Sequence, residues 1–162
     1  MFRLEYKPYT LNFKFIVGTS RGTMKTREVW FLRVWDTSSL GVFGIGEVAP
    51  LNGLSADPID KIPQKLSELI IEIADHKTPT SVPEVYALAK TLAFKFPAIR
   101  MGLEMALLDL IQRGIRQWFN SPFLQHKIQI KTNGLVWMGD EIFMRDQIEE
   151  KMALGFDCVK LK

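Results

Sequence analysis

Apolar and polar positions alternate from residue 11 to residue 15, where Leu11, Phe13 and Phe15 are separated by Asn12 and Lys14. A period of two predicts a β-strand. The stretch GTSRGTMKTRE, residues 18–28, then predicts a loop through its glycine, serine and threonine content. Residues 29–36, VWFLRVWD, are β-branched and aromatic and predict a second strand. After Ser38, Ser39 and Gly41, the stretch VFGIGEV at 42–48 predicts a third. Three strands in succession with short connections predict an antiparallel meander.

The pattern changes after APLNGLSADP, a loop at 49–58 with two prolines and a glycine. Ile62, Leu66, Leu69, Ile70 and Ile73 recur at three and four residues and predict one apolar helical face. Ser81 and Glu84 have capping-box spacing, with Pro83 in the first turn, and predict a helix to about residue 93. Pro97 opens another, whose apolar stripe is Ile99, Leu103, Ala106, Leu107, Leu110 and Ile111, with Gly114 as its stop.

A different order follows. Residues 128–138, IQIKTNGLVWM, predict a strand with an Asn-Gly interruption. Residues 139–155 predict a helix with Asp140 as N-cap and Gly155 as its end, and residues 157–162 predict a strand again. Strand, helix, strand with short connections is a βαβ unit, which requires parallel strands. The fold class expected is therefore an α+β domain over 1–124, a three-stranded antiparallel meander plus helices, followed over 125–162 by the opening of an α/β domain.

Composition narrows the function classes. Lys and Arg total 21 against 18 acidic residues, a net charge of +3, and they are scattered. Neither the excess nor its distribution suits nucleic acid. The N-terminal stretch has no apolar core of a secretory signal, and no window approaches 18 uninterrupted apolar residues, so no membrane partner is expected. A single cysteine, Cys158, excludes an internal disulfide and suits a reducing compartment, so a soluble cytoplasmic protein is expected. His76 and His126 are too isolated to suggest a metal pair.

The chemistry concentrates in GFDCVKLK, residues 155–162. Strand alternation puts Cys158, Lys160 and Lys162 on one face and Asp157, Val159 and Leu161 on the other. Val159 and Leu161 suit packing against covering helices. The two lysines, roughly 7 Å apart by strand geometry, repel one another. Repulsion and desolvation both lower an amine pKa, and a neutral lysine is a general base. On the residues alone two readings stand: a solvated terminal tail, or a base at the C-terminal end of a parallel strand, where barrel active sites lie.

Five stretches together resemble the enolase superfamily, in its muconate-lactonizing subgroup: GTSRGTMKTRE at 18–28, GIGEVAPLNGLS at 44–55, AIRMGLEMALLDL at 98–110, TNGLVWMG at 132–139 and GFDCVKLK at 155–162. They span nearly the whole chain in family order. The resemblance implies an N-terminal capping domain followed by a (β/α)8-type barrel, reached here only as far as the second barrel strand. It implies that Lys162 is the catalytic base and that Lys160 tunes and orients it. The superfamily pattern is a Lys or His base with Mg2+ on an enediolate.

Within the subgroup, Asn133, Gly134 and Leu135 with Trp137, Met138 and Gly139 favour the members that dehydrate 2-succinyl-6-hydroxy-2,4-cyclohexadiene-1-carboxylate. The resemblance implies two cap loops over a small carboxylate substrate. One carries Ser20 and Arg21, and the other carries Leu51, Asn52 and Leu54. Arg21 is equally open to a surface role, Leu51 and Leu54 are read first as cap packing, and Trp137, near the end of the first barrel strand, is read first as a core residue and second as lining the pocket. Glu47 is read as an interdomain or loop-anchoring residue, and Glu104 and Asp109 as anchors of helix contacts.

The family's acidic metal ligands and a further lysine sit on later barrel strands. They are expected beyond residue 162, in the same polypeptide or another chain, because a closed barrel takes roughly 250 residues. Two other functions stay open at this stage. One is N-succinylamino acid racemase or dipeptide epimerase chemistry in the same superfamily. The other is a non-catalytic cap module for binding or oligomerisation.

Overall fold

The computed structural model describes residues 1–19 and 22–161, so Ser20, Arg21 and Lys162 lie outside the described residues. The chain forms two compact units, Met1–Leu11 with Glu28–Asn120, and Asn12–Arg27 with Ser121–Lys162. The N-terminal strands therefore contribute to both.

The three expected strands are β1 (Phe2–Thr19), β2 (Gly22–Asp36) and β3 (Gly44–Val48), in the order β1-β2-β3. They form the antiparallel meander. Cross-strand pairs Glu5–Arg33 at 3.1 Å and Thr10–Glu28 at 2.7 Å tie β1 to β2. β3 pairs with β2 through Trp30↔Val48, Leu32↔Gly46 and Val34↔Gly44. The loop expected at 18–28 is corrected, since strand structure reaches Thr19 and resumes at Gly22. Pairing along the hairpin overrides the Gly/Thr composition, and threonine is itself compatible with extended backbone.

The helices follow as α1 (Ile62–Glu72), α2 (Val82–Ala93) and α3 (Pro97–Ile111). In α1, Ile62, Leu66 and Leu69 are fully buried, as is Ile73 in the short 3-10 turn that follows, whereas Ile70 is 37% exposed and falls outside the face. α3 is the central helix of the first unit. Leu103, Ala106 and Leu107 are fully buried, and the core they join includes Leu32, Val34 and Val48 of the sheet. The helix ends with Gly114 at φ 73°, whose N–H donates to the Asp109 carbonyl at 2.8 Å.

The capping box at α2 is only half formed. Ser81 occupies the N-cap position but makes no side-chain cap bond. Glu84 instead accepts from the N–H of Thr80 at 2.8 Å and from its hydroxyl at 3.2 Å, and these bonds hold its pKa below the ordinary value.

Two carboxylates are buried in the first unit. Asp109 accepts from the N–H groups of Ile45 at 2.9 Å and Arg116 at 2.8 Å and pairs with the Arg116 guanidinium. It joins α3 to β3, which matches its reading as an anchor. Asp57 accepts from the Ala98 N–H with both oxygens, at 3.0 and 3.1 Å, and caps α3 from outside the helix.

In the second unit, β4 (Gly134–Val136) and β5 (Val159–Leu161) flank α4 (Glu141–Ala153) and pair in parallel, giving the βαβ unit. Asp140 caps α4 by accepting from the Phe143 N–H at 2.9 Å, and Gly155 follows the helix at φ 83°. The strand expected over 128–138 is corrected to three residues. Ile128 and Ile130 are 52% and 59% exposed, in irregular backbone. No described strand pairs with them, so their β-propensity has no ladder to join.

Candidate functional site

The register of the parallel pair sets the geometry: Gly134↔Val159, Leu135↔Lys160 and Val136↔Leu161. Gly134 and Val136 are buried, and a Cβ on Gly134 would lie 2.9 Å from the Lys151 Cβ of α4. That face is the helix-covered one. By alternation Leu135, Trp137 and Lys160 share the opposite face. Val159 is half-buried and Leu161 is 56% exposed on the covered face. Lys160 itself is exposed. Lys162, the residue expected to act as base, lies outside the described residues.

The hairpin segment of the same unit packs at the C-terminal end of β4. The Phe15 ring meets the Trp137 ring edge-on, with centroids 6.2 Å apart at 76°. A Cβ built on Gly18 would sit 3.2 Å from the Met138 carbonyl oxygen. Ser20 and Arg21, the two candidates from the first cap loop, lie outside the described residues.

Leu51, Asn52 and Leu54 belong to the first unit. Their loop is a preformed turn. The N–H groups of Leu54 and Ser55 both donate to the Leu51 carbonyl, at 3.0 and 2.9 Å, and the Ser55 hydroxyl accepts from the Leu51 N–H at 2.9 Å. Gly53 supplies the positive φ of 70° that the turn needs. Leu51 is half-buried, Asn52 is exposed and Leu54 is 49% exposed, so Asn52 and Leu54 are open to a ligand. Two open depressions on the first unit, of about 330 and 380 Å³, include Asp36, Ser39 and Leu40 in their linings and none of the candidate residues.

Sequence reasoning missed Gln147. Its side-chain amide, reaching from α4, accepts from the Trp137 N–H at 2.9 Å and donates to the Trp137 carbonyl at 3.1 Å. A lone glutamine in a polar helix gives no sequence signal of this kind. Among the described residues no group of three or more His, Cys, Asp and Glu is placed to hold a metal ion. These residues therefore do not fit a Mg2+ site.

No family model matches the chain. The chain is 36% identical to an o-succinylbenzoate synthase of Desulfotalea psychrophila, in a match covering 98% of the chain and 48% of the relative. The crystal structure of MenC from Desulfotalea psychrophila superposes with a TM-score of 0.75 at 31% identity, over 99% of this chain and 48% of that one. A dipeptide epimerase from Cytophaga hutchinsonii, complexed with Mg and the dipeptide D-Ala-L-Val, gives a TM-score of 0.75 at 17% identity, over 99% and 43% of the two chains. An o-succinylbenzoate synthase from Thermosynechococcus elongatus, with Mg in its active site, gives 0.65 at 19%, over 98% and 42%. These last two likenesses show the fold alone. The chain spans about half the length of the curated relative it matches. With its three-stranded meander, its helices and its parallel βαβ unit, the chain is thus similar along nearly its whole length to about half of an o-succinylbenzoate synthase.

Proposed function

We propose that the chain is part of an o-succinylbenzoate synthase, a carbon–oxygen lyase of menaquinone biosynthesis. It converts 2-succinyl-6-hydroxy-2,4-cyclohexadiene-1-carboxylate to o-succinylbenzoate in the cytoplasm. The observation that carries this reading is the 36% identity to a synthase along 98% of the chain. The parallel strand pair supports it, because it ends in the stretch holding Lys160 and Lys162.

In this reading Lys162 removes the proton alpha to the substrate carboxylate, and Lys160 orients it and adjusts its basicity. The proton passes to the lysine nitrogen, and the C–H electron pair is delocalised into the carboxylate as an enediolate. The protonated lysine then returns that proton to the ring hydroxyl, the C–O bond breaks, water leaves, and the electron pair forms the double bond that completes the aromatic ring. Ser20, Arg21, Leu51, Asn52 and Leu54 contact the substrate from the cap. Residues beyond 162 in the complete protein would hold Mg2+, which would supply positive charge against the carboxylate. No helix among the described residues is long and apolar enough to cross a membrane.

The test is turnover by the complete protein with Mg2+, followed by the appearance of o-succinylbenzoate. Lys162→Ala abolishes turnover while circular dichroism stays unchanged. Racemisation of N-succinylamino acids without any o-succinylbenzoate overturns the reading in favour of the racemase and epimerase branch.

A further inference from the structure

The end of β4 is fixed more firmly than a three-residue strand requires. Gln147 satisfies both backbone groups of Trp137, and its amide also donates to the Phe143 carbonyl at 3.1 Å. A side-chain amide thus does for Trp137 what a neighbouring strand does for a ladder residue. The indole is held independently, by the edge of Phe15. The close approach of Gly18 to Met138 brings the hairpin backbone to the same strand end.

Despite these restraints the Trp137 side chain is only half-buried, on the face that Leu135 shares with Lys160. Trp30, which serves the core of the first unit, is 7% exposed. Trp137 is therefore held at both its backbone and its ring, yet is only half-buried at the C-terminal end of a parallel strand. A rigid aromatic of this kind offers a planar apolar surface at low entropic cost.

We propose that Trp137 is a wall of the substrate site that contacts the substrate ring, and that Gln147 is the residue that positions it. The inference rests on the dehydratase reading and adds a ring contact to it. Substrate and product share a planar or near-planar six-membered ring, which an indole face suits.

Kinetics of the complete protein test this. Trp137→Ala raises KM roughly tenfold while kcat changes less, and Trp137→Phe keeps most of the affinity. Gln147→Ala raises KM in the same direction, and Gln147→Glu, which retains the acceptor for the Trp137 N–H, recovers part of the loss. Combined with Trp137→Ala, the Gln147→Ala change adds little, because it acts through the indole. Should Trp137→Ala fail to fold, Trp137→Leu supplies the same comparison.

A wild-type protein that makes no o-succinylbenzoate overturns the dehydratase reading and this inference with it. Wild-type turnover with the KM of the Trp137 variant within about twofold of normal overturns the inference alone. A Gln147→Ala variant with a lower melting temperature and unchanged KM shows a purely structural clamp and overturns the positioning role.

Discussion

Gly46 of β3 and Gly102 of α3 meet backbone to backbone: a Cβ built on Gly46 would lie 1.9 Å from the Gly102 carbonyl oxygen. Gly44 has the same relation to the Ala106 carbonyl oxygen, at 1.9 Å, and a Cβ on Gly102 would meet Val48 Cγ2 at 2.6 Å. At Gly44 and Gly46 the helix backbone thus lies directly on that of β3. Because the clash is with backbone, no rotamer change relieves it. Gly46→Ala is expected to cost upward of about 3 kcal/mol, at the high end for overpacking. Urea unfolding measures it, and a midpoint equal to that of the parent protein refutes the contact.

Asp109 and Arg116 predict an asymmetry. Asp109 is fully buried, whereas the Arg116 side chain is 48% exposed. Asp109→Ala leaves the Ile45 and Arg116 N–H groups without their acceptor, for a cost of about 3–5 kcal/mol. Arg116→Ala removes a solvent-screened partner and costs about 1 kcal/mol or less. Equal losses for the two variants in chemical denaturation contradict the assignment of Asp109 as the anchor between α3 and β3.

The contrast between these residues shows what the sequence holds. Leu66, Leu69, Leu103 and Leu107 were legible because helical periodicity reports burial, and the meander was legible because its strands are β-branched and aromatic. GIGEV was legible as a strand and as part of a family signature, but the reason for its glycines was not: it is the helix resting on Gly44 and Gly46. The hairpin around residues 18–28 was hidden because its strands are held by pairing rather than by apolar content. Gln147 was hidden because one amide meeting one backbone leaves no periodic trace. The alternation of Lys160 with Val159 and Leu161 was legible because β5 is a strand in register with β4, but Leu161, expected to pack against covering helices, is 56% exposed. Leu11 and Phe15 alternate as a strand should, yet they are 36% and 50% exposed, so the period gave the element and not its buried face.

Asp36 predicts a pH dependence. Its carboxylate accepts from the Thr78 hydroxyl, from the Ser38 hydroxyl at 2.7 Å and N–H at 2.9 Å, and pairs with the Met1 ammonium at 3.2 Å. Led by the Thr78 bond, these contacts hold its pKa well below the ordinary carboxylate range. A carboxylate depressed in the folded state contributes stability that is fully present above its unfolded-state value, about 3.9, and is lost as pH falls toward the folded value. Asp36→Asn is therefore expected to melt at a lower temperature than the parent at neutral pH. The gap begins to narrow below about pH 4 and closes only as pH nears the folded value. A gap that stays constant down to acid pH shows that the carboxylate charge contributes nothing.

Asp57 sits at the exit of the loop that carries Leu51, Asn52 and Leu54 and is 5% exposed. Phe96, at the N-cap of α3, offers no side-chain acceptor, so the Ala98 N–H depends on Asp57. Asp57→Ala removes a cap and strands a donor, for an expected loss of about 2 kcal/mol. Asp57→Asn keeps one acceptor and loses less. The same carboxylate also ties the end of the loop to the start of the central helix. Amide hydrogen exchange separates these two roles, since local openings are read residue by residue. Faster exchange of the Leu54 and Ser55 amides in Asp57→Ala, beyond that set by global stability, shows that the anchor holds the loop in shape. Exchange at those amides that follows global stability alone leaves Asp57 as a helix cap, with the Ser55 hydroxyl and the Leu51 carbonyl sufficient to fold the loop.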